Sequence, residues 1–282
     1  RLRGDLWAAP EGTLIFPNEP ILRLTLPIID AGLIEQYVIN TIMLQTMLAS
    51  KFSRVVNAAA GKGTGFVPVR THGTDSAMKS IRIAKMVGFT RSGLLAAAYL
   101  AGEKTGGGVF STHYFILTFP NELAAFRALA KNGGQNLSFL IDTYDFKKGL
   151  NHFITVAKES ESAGLKLNAI AIDSGDLGAL SCYARKRLDQ ADLPYIKITA
   201  ASNLDEYSIS KLTAGKAPID IYAPCTEVLN VTDAPKLEVV YKMGALLENG
   251  RAVCKMKFSP KKLSLPGSKQ VFRLEKDGQY VK

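Results

Sequence analysis

The sequence predicts an α/β protein: an irregular parallel barrel of about seven strands, with a second, smaller domain split between the two chain ends. Three observations predict it. Short apolar runs recur near 66–70, 93–99, 108–117, 137–142, 168–173, 195–201 and 219–223. Helix-like segments separate most of them, and polar residues gather where the runs end. Runs without polar alternation suit parallel strands covered on both faces, and seven in series favour a barrel over an open sheet. The chain has 282 residues and is 47% hydrophobic, enough for one barrel of about 250 residues plus extra strands.

Residues 1–27 read as β-structure. Gly12–Phe16 and Ile21–Leu26 are strand patterns around the turn Pro17-Asn18-Glu19-Pro20. A long helix follows over roughly 28–59 and ends in the glycine-rich stretch Gly61-Lys62-Gly63-Thr64-Gly65. Further helices are predicted over 74–87, 121–131, 147–163, 177–191 and 204–214, while the link between the second and third runs is too short for one. The tail, 236–282, returns to strand and turn patterns, with Glu248-Asn249-Gly250 and Lys276-Asp277-Gly278 as hairpin turns. It is placed beside 1–27. The predicted division is 1–27 and 233–282 as the split domain, with 28–232 as the barrel.

In such barrels catalytic groups lie at the C-terminal strand ends. That rule selects Arg70-Thr71-His72-Gly73-Thr74-Asp75, then His113 in Ser111-Thr112-His113-Tyr114 on the third strand, and Asp142-Thr143-Tyr144-Asp145. It continues with Asp173-Ser174-Gly175-Asp176, Ser202-Asn203-Leu204-Asp205 and Cys225-Thr226-Glu227. Each has a plainer reading. Asp176 or Asp205 also suits a helix N-cap, and His113 a hydrogen-bonded core histidine. Carboxylates recurring at several strand ends, with one Arg and two His, suit a substrate carrying hydroxyls and phosphates together with a divalent metal. His152 lies on a predicted helix without chemical context. His-x-x-x-His and Cys-x-x-Cys spacings are absent, which argues against a protein-caged zinc.

The net charge is +10, and 236–282 holds eleven Lys/Arg against four Asp/Glu, a surplus of seven. Such a tail binds nucleic acid, attracts a polyanionic small substrate, or is a solvated surface or an interface. No aromatic-plus-basic motif accompanies it, so small molecules rather than nucleic acid are the expected partners. Three widely spaced cysteines, Cys182, Cys225 and Cys254, predict reduced thiols in a cytoplasmic protein. The chain opens Arg1-Leu2-Arg3-Gly4-Asp5, without an initiator Met or an apolar leader, so no secretion signal is expected. The stretch Ile28–Leu48 is interrupted by Asp30, Glu35, Gln36, Asn40 and Gln45, and predicts a buried helix rather than a membrane span.

Several segments, in order along the whole chain, resemble the nicotinate phosphoribosyltransferases. They are Gly4-Asp5-Leu6-Trp7-Ala8-Ala9-Pro10-Glu11-Gly12-Thr13, Phe16-Pro17-Asn18-Glu19-Pro20 and Asp142-Thr143-Tyr144-Asp145. Ile172-Asp173-Ser174-Gly175-Asp176-Leu177, Ser202-Asn203-Leu204-Asp205-Glu206 and Pro266-Gly267-Ser268-Lys269-Gln270-Val271 complete the set. The resemblance implies a barrel joined to a split α+β sandwich, and a leading segment before Gly4 that this chain lacks. It implies transfer of a phosphoribosyl group from phosphoribosyl pyrophosphate to nicotinate, with Mg²⁺ and ATP, in a homodimer. By resemblance Arg70 meets phosphates, Asp173 the ribose or its metal, and His113 is phosphorylated by ATP. Ser202 and Asn203 meet the 5′-phosphate, while Asp142, Asp145, Ser174, Gly175, Asp176 and Thr226 bind substrate.

Five positions depart from the family pattern. Val69 and Ala171 replace arginines, the second of which reads the nicotinate carboxylate in the family. Leu94 stands in the place of an Asn. Pro224 and Cys225 stand where backbone should approach a phosphate; Cys brings a Cβ and Pro removes an N–H. Three readings follow: a working nicotinate enzyme, a transferase for another pyridine base, or an impaired homologue acting as a partner subunit.

Overall fold

The apolar runs form a parallel sheet, and most of the predicted helices form between them. The computed structural model describes residues 3–92, 99, 109–110, 112–133, 137–259 and 263–281. The chain divides into two compact units, 1–43 with 237–282, and 44–236.

The strands of the larger unit are β3 (Gly63–Phe66), β4 (Arg91–Ser92), β5 (Val109–Phe110), β6 (Leu137–Leu140), β7 (Ala169–Ile172), β8 (Lys197–Ala200) and β9 (Ile221–Tyr222). They form one sheet of order β4-β3-β9-β8-β7-β6-β5, with every pair parallel. Around it run α1 (Ile28–Ala59), α2 (Thr74–Met86), α3 (His113–Leu117), α4 (Glu122–Gly133), α5 (Phe146–Ser162), α6 (Leu177–Gln190), α7 (Glu206–Ala214) and α8 (Thr226–Leu229). The first half of α1 belongs to the smaller unit by contact.

Strand side chains alternate between faces. On one face Phe139 meets Phe126 of α4 and Phe153 of α5, with ring centroids 5.6 and 5.2 Å apart. Phe66 meets Phe52 of α1 on that same helix-packed face, and Tyr222 shares a hydroxyl contact with Thr213 of α7. On the other face the register aligns Leu140, Ala171, Thr199, Ile221 and Gly63. Leu140, Ala171, Thr199 and Ile221 are buried too. Burial on both faces is why these strands read as unbroken apolar runs.

Several expectations are corrected. The first barrel strand is Gly63–Phe66, inside the glycine-rich stretch, because Pro68 cannot continue the ladder. His113 is not in a strand; it opens α3, because the Thr112 side chain accepts from Phe115 N at 3.2 Å and caps a helix there. Gly12–Phe16 is not a strand, and β1 (Asp5–Ala8) pairs instead with β2 (Leu22–Thr25), antiparallel. Leu94, Ser111 and most of the predicted run 93–99 lie outside the described residues.

The smaller unit contains those two strands and two hairpins, β10–β11 (Ala245–Glu248, Arg251–Cys254) and β12–β13 (Leu274–Lys276, Gln279–Val281). Their turns fall at the predicted Asn249-Gly250 and Asp277-Gly278, with all four residues at positive φ, the geometry that favours these pairs. Two contacts tie the chain ends together. Arg273 Nη2 donates to Glu19 Oε2 at 2.6 Å, and Arg23 Nη1 to Ser268 Oγ at 2.5 Å.

Behind the sheet edge lies a charged network in the larger unit. Lys51, on α1 and only 1% exposed, stands 2.7 Å from both Glu206 and Asp233. Arg54, one turn on, reaches the same two carboxylates at 3.0 and 2.8 Å. Glu206 opens α7, so the network holds the segment that follows Ser202-Asn203.

Candidate active site

The C-terminal ends of β6, β7 and β8 bring together Asp142, Asp173, Ser174 and Ser202, with His113 arriving from α3. Asp142 organises the group. Its Oδ2 accepts from Asp173 N at 2.9 Å and Ser174 Oγ at 2.7 Å, tying the β6 turn to the β7 turn. Its Oδ1 is buried without a hydrogen-bond partner among the described residues. Asp173 is held above its ordinary pKa, chiefly by burial and then by the Asp142 charge; His113, the Ser202 backbone and Arg70 oppose the shift. Two mutually repelling carboxylates with one bare oxygen attract a cation or hydroxyl donors.

His113 Nδ1 lies 3.0 Å from Thr143 Oγ1, which orients the ring, and Nε2 lies 3.8 Å from Asp173 Oδ2. Ser202 sits at φ 87°, a left-handed conformation that non-glycine residues adopt sparingly. Arg70 lies in the bend after β3. Its carbonyl accepts from Asn230 Nδ2 at 2.6 Å, and its charge acts on both Asp173 and Cys225. Asn203 is exposed at the rim.

Other expected residues are set apart from this cluster. Asp145 caps α5 through Lys148 N, Asp176 caps α6 through Ala179 N, and Asp205 forms a capping box with Ser208 on α7. Gly175 takes φ 80° in the turn between Ser174 and the α6 cap. Thr226 opens α8 beside Cys225. The Cys225 thiol donates to Val67 O at 3.1 Å, and burial pushes its pKa up. Val69 is exposed, and Ala171 is fully buried in β7 directly below Asp173. Thr199, its register partner, is buried with its hydroxyl unpartnered among the described residues.

One pair behind the cluster has no counterpart among the expected site residues. Glu122 on α4 is buried, with Oε2 2.8 Å from His152 Nδ1 on α5. The two residues are thirty positions apart on different helices, so no local spacing signals them; the isolated polar Glu122 beside Pro120-Asn121 reads only as a helix start. Gly149 lies in the same place, and a Cβ there would collide with the Ile141 carbonyl. Gly149→Ala is therefore expected to destabilise the chain by about 1–3 kcal/mol, measured as a lowered urea midpoint; an unchanged midpoint would show that α5 shifts freely.

A parallel α/β sheet with its polar groups gathered at the strand C-termini defines the class of α/β proteins that take ligands at that edge. The fold matches solved members of that class. A nicotinate-nucleotide pyrophosphorylase from Pyrococcus furiosus superposes with a TM-score of 0.77 at 22% identity, over 99% of this chain and 68% of that one. Human nicotinic acid phosphoribosyltransferase superposes with 0.71 at 21% identity, over 78% and 55%.

By sequence the chain is 43% identical to the nicotinate phosphoribosyltransferase pncB2 of Mycobacterium tuberculosis over 281 residues, 99% of this chain and 59% of that protein. It is 36% identical to the nicotinate phosphoribosyltransferase of Bacillus subtilis over 289 residues, 98% of this chain and 57% of that protein. No protein-family model matches. The chain belongs to the nicotinate phosphoribosyltransferase family, and it spans less than two thirds of the length of these curated relatives.

Proposed function

We propose that this chain carries the phosphoribosyl site of a nicotinate phosphoribosyltransferase, joining nicotinate to phosphoribosyl pyrophosphate to give nicotinate mononucleotide and pyrophosphate, coupled to ATP hydrolysis. The observation that carries it is the Asp142–Asp173 pair with one bare, buried carboxylate oxygen. In this reading Asp173 faces the ribosyl centre as it gains positive character, and its negative charge stabilises that state. Asp142 holds the Asp173 backbone and Ser174 in place. Arg70 meets departing phosphate charge, and Ser202 and Asn203 grip the 5′-phosphate. His113 accepts a phosphoryl group from ATP, with Asp173 beside Nε2 and Thr143 fixing the ring.

The donor set fits Mg²⁺. Among the described residues no group of three or more His, Cys, Asp or Glu is gathered for a metal. One or two carboxylates completed by substrate oxygens and water is the arrangement Mg²⁺ usually takes, and Asp142 Oδ1 and Asp173 would hold it. When bound, it would offset the charge of the leaving pyrophosphate.

The sheet closes into a barrel in this reading, supported by the burial of Leu140, Ala171, Thr199 and Ile221 on the face away from the helices. The domains are 28–232 for the barrel, with 1–27 and 233–282 forming the split sandwich; the grouping of both chain ends in one unit supports the split. A homodimer is supported by Ile28, Ile29, Leu33 and Tyr37, large apolar side chains exposed along α1. Three free cysteines support a cytoplasmic setting. Among the described residues no helix is long and apolar enough to cross a membrane.

A second reading, a transferase for another base or one with impaired turnover, is favoured by Ala171 and Cys225. Each loss of a charged contact costs about 1.5–3 kcal/mol. Pyrophosphate release with nicotinate and with nicotinamide tests both. Release faster with nicotinate supports the first reading; release faster with nicotinamide supports the second. Release with neither, together with no heat on titrating phosphoribosyl pyrophosphate, ends both. Incubation with γ-³²P-ATP is expected to label the native chain and not His113→Ala; label surviving in the variant removes the phosphohistidine role.

A further inference from the structure

The phosphoribosyl reading leaves unused the buried Glu122–His152 pair behind Asp142. Glu122 is 4% exposed; one of its oxygens is bound to His152, and Oε1 is buried without a hydrogen-bond partner among the described residues. Gly149 of α5 locates that oxygen. The point where its Cβ would lie is blocked by the Ile141 carbonyl and stands 3.3 Å from Glu122 Oε1. A carbonyl and a carboxyl oxygen therefore converge on one small buried space, one residue before Asp142. Two acceptors meeting without a proton repel, whereas a proton on the acid makes the contact a hydrogen bond. The surroundings favour that proton. Burial raises the Glu122 pKa most, Asp142 and Asp145 raise it further, and His152 acts against them.

We propose that Glu122, steadied by His152, is a positioning residue for Asp142: as a neutral acid it donates from Oε1 to the Ile141 carbonyl and fixes the turn that aims the Asp142 carboxylate. With the backbone held at Ile141, Asp142 spends Oδ2 on Asp173 N and Ser174 Oγ and keeps Oδ1 turned to the ligand. A neutral carboxylic acid used as a donor in a dry site is an established device. What the held carboxylate touches rests on the phosphoribosyl reading; the bond to Ile141 does not.

The test compares Glu122→Gln, whose amide N–H replaces the acid proton, with Glu122→Ala, which has no donor. Calorimetric titration with phosphoribosyl pyrophosphate and Mg²⁺ is expected to give the Gln variant an affinity within about twofold of the native chain. The Ala variant should bind about tenfold more weakly. Gln binding as weakly as Ala, or Ala binding as tightly as the native chain, overturns the proposal. Carbon-13 NMR of side-chain-labelled glutamate provides a measurement independent of ligand. The resonance missing from the Gln variant should report a protonated carboxyl at neutral pH, and an ionised one overturns the proposal. If the native chain binds no phosphoribosyl pyrophosphate, the functional reading fails and the NMR result alone decides the bond. If the Ala variant does not fold, the Gln variant and the NMR result decide it.

Discussion

Replacing Lys51 with methionine is expected to lower the unfolding free energy by about 3–5 kcal/mol, seen as a lower urea midpoint at unchanged slope. Lys51 is 1% exposed and holds Glu206 and Asp233 at 2.7 Å each. Without it Glu206, itself 7% exposed, keeps only Arg54. A buried charge stripped of one partner costs far more than a surface pair is worth. The pH dependence has a definite sign. Asp233 is held below the ordinary carboxylate range, first by its hydrogen bond from Lys51. A lowered acid adds stability above its unfolded pKa and loses it as pH falls through the folded one. The methionine variant lacks that contribution, so its deficit should shrink as pH falls from about 5 towards 3. A deficit under about 1 kcal/mol at neutral pH would reduce the network to ordinary surface pairing.

Asp142→Ala is expected to lower kcat/KM for phosphoribosyl pyrophosphate by about 10²–10³-fold with the circular dichroism spectrum intact. The substitution removes the bare oxygen and also frees Asp173 N and Ser174 Oγ, so two turns lose their common anchor. Ser174→Ala removes one of those bonds and should cost about tenfold at most. Steady-state kinetics on the two variants separate the roles. Equal losses would place the damage in the turn alone and deny Asp142 Oδ1 a part in binding.

The sequence made the middle of the sheet legible because β6, β7 and β8 are buried on both faces, and short unbroken runs such as Ala169–Ile172 suit that setting better than a half-exposed strand. Helix starts were legible through Asp145, Asp176 and Asp205, although the same residues also read as substrate ligands; side-chain bonds to Lys148, Ala179 and Ser208 show them serving as caps. The first barrel strand was displaced because Gly63 and Gly65 look like a loop until a neighbouring strand pairs with them. His113 was assigned to a strand because Tyr114, Phe115 and Ile116 are strong strand formers, and one hydroxyl from Thr112 outweighs them locally. Glu122 with His152, and Lys51 with Glu206, were hidden for a different reason. Each pair joins helices far apart in sequence, and a charge that becomes buried only after folding leaves no periodic trace.

The joining of the two chain ends in one unit also sets a timetable for synthesis. Glu19 meets Arg273 and Arg23 meets Ser268, yet residues 44–236, 193 in all by 236 − 43, are made in between. At about 5–20 residues per second the first strands wait roughly 10–40 s for their partners. Throughout that interval Leu6 and Trp7 lack every contact that the tail supplies. The larger unit is fully synthesised before the tail emerges, so the smaller unit is the last part of the chain to become complete.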